Sequence, residues 1–77
     1  MSISVYFPGG VKVNAKLDGF DVATDQPVKA GGEGSAPAPF GLFLASLATC
    51  AGYYIKAFCD SRQIPSHGIS LTMDPEY

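Results

Sequence analysis

Two thiols are the residues of this 77-residue chain best suited to chemistry, Cys50 and Cys59, and both lie in one apolar segment, PAPFGLFLASLATCAGYYIKAFCDSRQIP, Pro37 to Pro65. A cysteine acts as nucleophile or redox centre through its thiolate, so what surrounds each sulfur decides whether it reacts or merely packs. Nine residues separate the two. On a helix that spacing puts them on opposite faces, roughly 13 Å apart along the axis. A disulfide needs Cα atoms within about 7 Å, so an intact helix forbids a Cys50–Cys59 bond. Cys50 shares its face with Phe43, Ser46, Leu47, Tyr53, Tyr54 and Ala57, beside the small residues Ala48, Thr49, Ala51 and Gly52. Cys59 has Lys56 and Arg62 three residues to either side, cations that favour a thiolate. Asp60 and the nearby helix C-terminus oppose them. Read from the residues alone, either thiol is a reactive group or a small buried hydrophobe.

Other chemistry-bearing residues point to bland roles. His67 is the single histidine, in a Ser-His-Gly turn without a carboxylate or cysteine pattern around it, so no metal site is expected. Tyr53 and Tyr54 read as packing groups. Asp18, Asp21 and Asp25 sit at expected turns, where Asp is common for backbone reasons. The Gly31–Gly32–Gly34 cluster has the composition of an anion cradle, but no phosphate-loop Lys-Ser/Thr follows it, and a connecting loop is the simpler reading. No cofactor is implied.

The elements that must position the thiols follow from pattern. Residues 1–24 read as a strand meander. Ser2–Phe7 is rich in β-branched and aromatic residues, and Pro8-Gly9-Gly10 turns the chain. Val11–Leu17 alternates, with Val11, Val13, Ala15 and Leu17 on one face and Lys12, Asn14 and Lys16 on the other. Asp18-Gly19 is a hairpin signal, and Phe20–Thr24 makes a third strand. Residues 25–38, rich in Gly and Pro, are loop. The spacing predicts one long central helix over 39–62, with Pro39 in the first turn, where its missing N–H costs nothing. Ile64-Pro65 stops it. A final strand is expected over 69–73. The whole is an α+β chain forming a single domain.

Net charge is −2, and five Lys and Arg form no cluster, so a nucleic-acid partner is not expected. The N-terminal MSISVYF lacks the features of a signal peptide, and two cysteines without an export signal point to a reducing cytoplasm. No charge occurs from Gly34 to Ile55. A membrane span needs roughly 20 apolar residues, and Gly41, Ser46, Thr49 and Gly52 interrupt this run, so a buried central helix is expected instead of a membrane helix. One short meander cannot cover such a helix. A homodimer is therefore expected.

Taken together, Thr24-Asp25-Gln26-Pro27, GGEGSAPAPF over Gly31–Phe40, LFLASLATC over Leu42–Cys50 and Ser61-Arg62-Gln63-Ile64-Pro65 before His67–Leu71 resemble the OsmC/Ohr family. The resemblance implies an α+β, OsmC-like fold in an intertwined dimer, with two long central helices packed by strands from both chains, and it covers the N-terminal half of such proteins. It implies organic hydroperoxide reduction and an oxidative-stress role. Cys50 corresponds to the peroxide-attacking cysteine, and a small dithiol serves as reductant. Cys59 is a second candidate redox cysteine by residue type and is not the family's resolving cysteine, which lies on a second helix. Peroxidase members carry a Glu where this chain has Phe40, and an Arg on the N-terminal strands, whereas here no Arg precedes Arg62. A non-catalytic OsmC-like dimer or half-domain binding a small apolar ligand is the alternative.

Overall fold

The computed structural model describes residues 1–76. Three antiparallel strands, β1 (Ile3–Gly9), β2 (Lys12–Leu17) and β3 (Phe20–Val22), form a sheet in the order β1-β2-β3. A helix, α1 (Pro39–Ser61), follows a 3₁₀ turn at Val28–Ala30 that the sequence pattern did not indicate. The chain divides into two compact units, Met1–Leu42 and Phe43 onward, and α1 begins in the first.

The register follows the alternation of residue types. Ile3 pairs with Leu17, Val5 with Ala15, and Ala15 with Val22, which gathers the apolar side chains on one face. Ser4–Lys16, Tyr6–Asn14 and Lys16–Asp21 pair on the other. On that polar face the Tyr6 hydroxyl donates to Asp21 (3.1 Å), as does the Lys16 ammonium (3.1 Å), and Lys16 lies 5.7 Å from the Tyr6 ring centroid. These contacts lower the Asp21 carboxyl and raise the Lys16 ammonium from their ordinary values, their mutual hydrogen bond first among the causes. The β2–β3 turn is Asp18-Gly19 with φ of 48° and 84°, the left-handed pair that a tight hairpin demands. The β1–β2 connection slips register between Tyr6 and Gly9, where Pro8 has no N–H to offer the ladder.

Beyond β3 the Thr24 hydroxyl donates to the Val13 carbonyl, and the Thr24 N–H donates to the Asn14 side chain (3.3 Å). Thr24 thus continues beside β2 by these bonds and by one backbone bond, Val13 N–H to the Thr24 carbonyl (3.4 Å), and the expected third strand ends two residues early.

α1 is 23 residues long and starts, as the pattern predicts, at Pro39. Its first backbone bond runs from Leu42 N–H to Ala38 carbonyl (3.2 Å). Its last turn closes with Gln63 N–H to Asp60 carbonyl (3.2 Å) and Ile64 N–H to Cys59 carbonyl (2.8 Å), the two bonds of a Schellman cap. The cap needs a left-handed residue, and Gln63 takes that conformation at φ 55°. Arg62 stacks on the Phe58 ring at 4.9 Å, and Pro65 prevents continuation.

Ile69–Met73 differs from expectation. It carries no strand, and Ile69 donates only to the Ser66 carbonyl (2.9 Å), closing the His67–Gly68 turn. An alternating segment becomes a strand only by pairing, and all three strands of the sheet precede α1. The expected buried helix differs too. Among the described residues, Cys59 is the one buried hydrophobic residue, and almost none of α1 is covered. By length and composition alone α1 could cross a membrane, at a mean hydropathy of 1.4. Its hydrophobic side chains and those of the sheet face are left largely open within this chain.

Candidate functional site

α1 carries both thiols, and both are free. The helix does what the spacing required: it is unbroken between them, so they cannot pair with each other. Their surroundings differ. Cys50 is exposed, whereas Cys59 is only 4% exposed. Within the single chain, access to a solute therefore favours Cys50.

The side chains one turn from Cys50 are Ser46, Leu47, Tyr53 and Tyr54. The Ser46 hydroxyl donates to the Phe43 carbonyl (2.6 Å), and Thr49 donates to the Ser46 carbonyl (3.1 Å). Both hydroxyls are turned back onto the helix, as Ser and Thr do in helix interiors. Leu47 is 50% exposed and Tyr54 69%, and the Tyr53 and Tyr54 rings meet edge-on at 5.7 Å. Cys50 therefore sits on an open apolar stripe that suits an alkyl chain or another apolar surface. Charge is absent from this stretch of α1, so the helix brings no cation to the Cys50 sulfur.

Cys59 has the opposite setting. Its carbonyl closes the helix cap, and its side chain is buried. Of the two cations that flank it in sequence, Lys56 is held by Asp60 at 2.6 Å, and Arg62 lies over Phe58. The i,i+4 pair adds about 0.3–0.5 kcal/mol to the helix, and it engages the ammonium with a carboxylate in place of the sulfur. Burial closes the Cys59 sulfur off from solution within this chain, and the ammonium nearest it in sequence is engaged by Asp60.

A shallow cavity of about 210 Å³ lies on the face of α1 opposite Cys50, between Gly52, Ile55 and Lys56 and the segment carrying Ile69 and Leu71. It is smaller than the roughly 300–1,000 Å³ of ordinary small-molecule sites. His67 is exposed at its turn. Among the described residues no three His, Cys, Asp or Glu side chains converge as metal ligands would.

Asp25 is the residue whose role the sequence pattern understated. It was expected as a turn residue; it is 1% exposed and binds the loop that follows it. Its carboxylate accepts the Gln26 N–H (2.7 Å), the Glu33 N–H (3.2 Å), the Ser35 N–H (3.1 Å) and the Ser35 hydroxyl (2.7 Å). The Ser35 hydroxyl bond, followed by the Gln26 amide, holds the Asp25 carboxyl at about 2, below its ordinary 3.8, against the opposing pull of burial. A signal was present in the sequence: a loop with three glycines and no strand partners has backbone donors that need an acceptor, and Asp25 is the carboxylate that opens it.

No curated protein and no solved structure matches this chain. A sequence-family model described as OsmC-like protein matches residues 32–77. That span holds the Gly-rich loop from Gly32, the whole of α1, Cys50 and the Arg62–Pro65 turn. The match takes in more than half of the chain, which belongs to the OsmC-like family.

Proposed function

We propose that this chain is an OsmC-like thiol redox protein in which Cys50 reduces organic hydroperoxides, as part of an oxidative stress response. The observation that carries the reading is the exposed, free thiol of Cys50 on the open apolar stripe of α1, within the family-matched segment. The Cys50 thiolate attacks the terminal oxygen of ROOH. The O–O bond breaks, and its electron pair leaves on the alkoxide, which takes a proton to give ROH. Cys50 is left as a sulfenic acid. A small dithiol restores it: one thiol displaces water to form a mixed disulfide, and the second thiol then releases Cys50 as a thiol and departs as the cyclic disulfide. The neighbouring Leu47 and Tyr54 suit the alkyl part of the peroxide.

The working form in this reading is a homodimer. The uncovered hydrophobic side chains of α1 and of the sheet face are the kind of surface that a folded chain buries against a partner. Ile69–Met73 then finds its strand partners in the second copy.

One observation favours a second reading, a non-catalytic OsmC-like dimer that binds a small apolar ligand. Phe40 stands at the helix start, and no charged residue lies between Gly34 and Lys56, so local sequence supplies Cys50 with no cation to hold a thiolate. Titration with tert-butyl hydroperoxide followed by intact mass separates the two. The catalytic reading expects one added oxygen per chain, trapped at Cys50 and removed by a dithiol. A chain that stays unmodified at a peroxide excess that oxidises a free thiol leaves the binding reading.

A further inference from the structure

In the first unit a polar arrangement is centred on a carboxylate that the thiol chemistry does not use. Three backbone N–H groups and one hydroxyl converge on Asp25, from Gln26, Glu33 and Ser35. The loop is folded for this purpose. Gly31 and Gly34 take φ of 94° and 66°, which other residues rarely adopt. The Gly34 N–H is tied to the Gln26 carbonyl (3.0 Å), and the Gly32 N–H to the Pro27 carbonyl (3.1 Å). A Cβ at Gly32 would collide with the Gln26 carbonyl and stand 2.8 Å from Asp25 Oδ1, so the loop closes this tightly only around glycine. Convergent backbone amides in a Gly-rich turn form an anion-binding nest. Here the chain supplies the anion itself. The Asp25 N–H also donates to the Pro37 carbonyl (3.1 Å), two residues before α1 begins, so the same residue ties down the far end of the loop.

We propose that the 31–35 loop is an anion receptor whose resident ligand is the Asp25 carboxylate, and that this internal occupancy fixes the chain leading into α1. The receptor's specificity is for a small carboxylate, because its donors are set to two oxygens of one planar group. The inference stands independently of Cys50 reactivity. If Asp25 were simply a turn residue, the loop would keep its form without a carboxylate.

The test is chemical rescue of full-length Asp25→Ala, read by amide hydrogen exchange at Glu33 and Ser35. Loss of the acceptor is expected to speed exchange at both amides by about tenfold or more. Sodium formate is expected to restore protection along a saturable curve, and sodium chloride at equal ionic strength is not. Unchanged exchange in Asp25→Ala, or equal effects of formate and chloride, overturns the proposal. Should Asp25→Ala not fold, Ser35→Ala keeps the carboxylate and removes one donor. Carbon NMR of the Asp25 carboxyl should then show it titrating closer to its ordinary value than in the unmodified chain, and formate should leave Ser35→Ala unprotected, because Asp25 still fills the receptor. A carboxyl that titrates identically in the two chains overturns the proposal as well.

Discussion

At the scale of single residues, exposure ranks the two thiols in the opposite order to the charges that flank them in sequence. Cys50 is open to solution, and Cys59 is not. Cys50→Ser is expected to abolish consumption of tert-butyl hydroperoxide, and Cys59→Ser to leave its rate within a small factor of the unmodified chain. The Cys50 rate itself should be slow, because no cation on its stretch of α1 favours the thiolate. Consumption undiminished in Cys50→Ser would remove the catalytic assignment. Cys59→Ser should register in stability instead, with about 1–3 kcal/mol lost for a hydroxyl placed where a buried sulfur sat, measured by urea unfolding. Flanking charge in the sequence suggested an influence of Lys56 on Cys59. The folded helix gives that ammonium to Asp60, a pairing four residues away that is as legible as the first, and which of them wins depends on where the sulfur is buried.

At the scale of elements, the helix end and the loop make separate predictions. Gln63 holds a left-handed conformation that costs a side-chain-bearing residue roughly 1–2 kcal/mol. Gln63→Gly is expected to stabilise the chain by about 1 kcal/mol after the extra freedom of glycine in the unfolded state is subtracted, seen as a higher urea midpoint. A lower midpoint would mean that the Gln63 side chain makes a contact worth more than the strain. For the loop, the Asp25 carboxyl sits at about 2 in the folded chain against 3.8 ordinarily. A lowered carboxyl binds its proton more weakly when folded, so its stabilising contribution is complete above about pH 4 to 5 and is lost as pH falls through 4 toward 2. The stability gap between the unmodified chain and Asp25→Asn should therefore be level near neutrality and close over that acid range. Glu33 is a second carboxylate of the same loop, paired with Lys12 at 3.4 Å, so both chains should carry Glu33→Gln. A gap independent of pH down to 2 would contradict the assignment.

At the scale of the whole molecule, the described residues bury one hydrophobic side chain, which is too little to hold a chain of this size in a folded state by itself. A dimer that covers α1 and the apolar sheet face would bury at least the 1,200–2,000 Å² of an ordinary stable interface. Light scattering is expected to give twice the chain mass, with an unfolding midpoint that rises with protein concentration. Phe43→Glu, a charge set on an exposed part of α1, should reduce that mass or the folded fraction. A stable folded monomer at micromolar concentration in the unmodified chain would rule out the dimer.

What the sequence determined by itself is local. Alternation in Val11–Leu17, the Asp18-Gly19 turn, Pro39 opening the helix and Pro65 closing it each act through neighbours a few residues away, and each is found where the pattern places it. The family resemblance is of the same kind, since it lies in contiguous runs of residues. Tertiary structure decided the rest. Asp25 and Ser35 are ten residues apart, and nothing in composition says that the donors of a Gly-rich loop return to the carboxylate at its start. Which thiol is buried depends on what the chain folds over the end of α1. Ile69–Met73 has the alternation of a strand without being one, because strand character is conferred by a partner's hydrogen bonds and not by the residues that seek them.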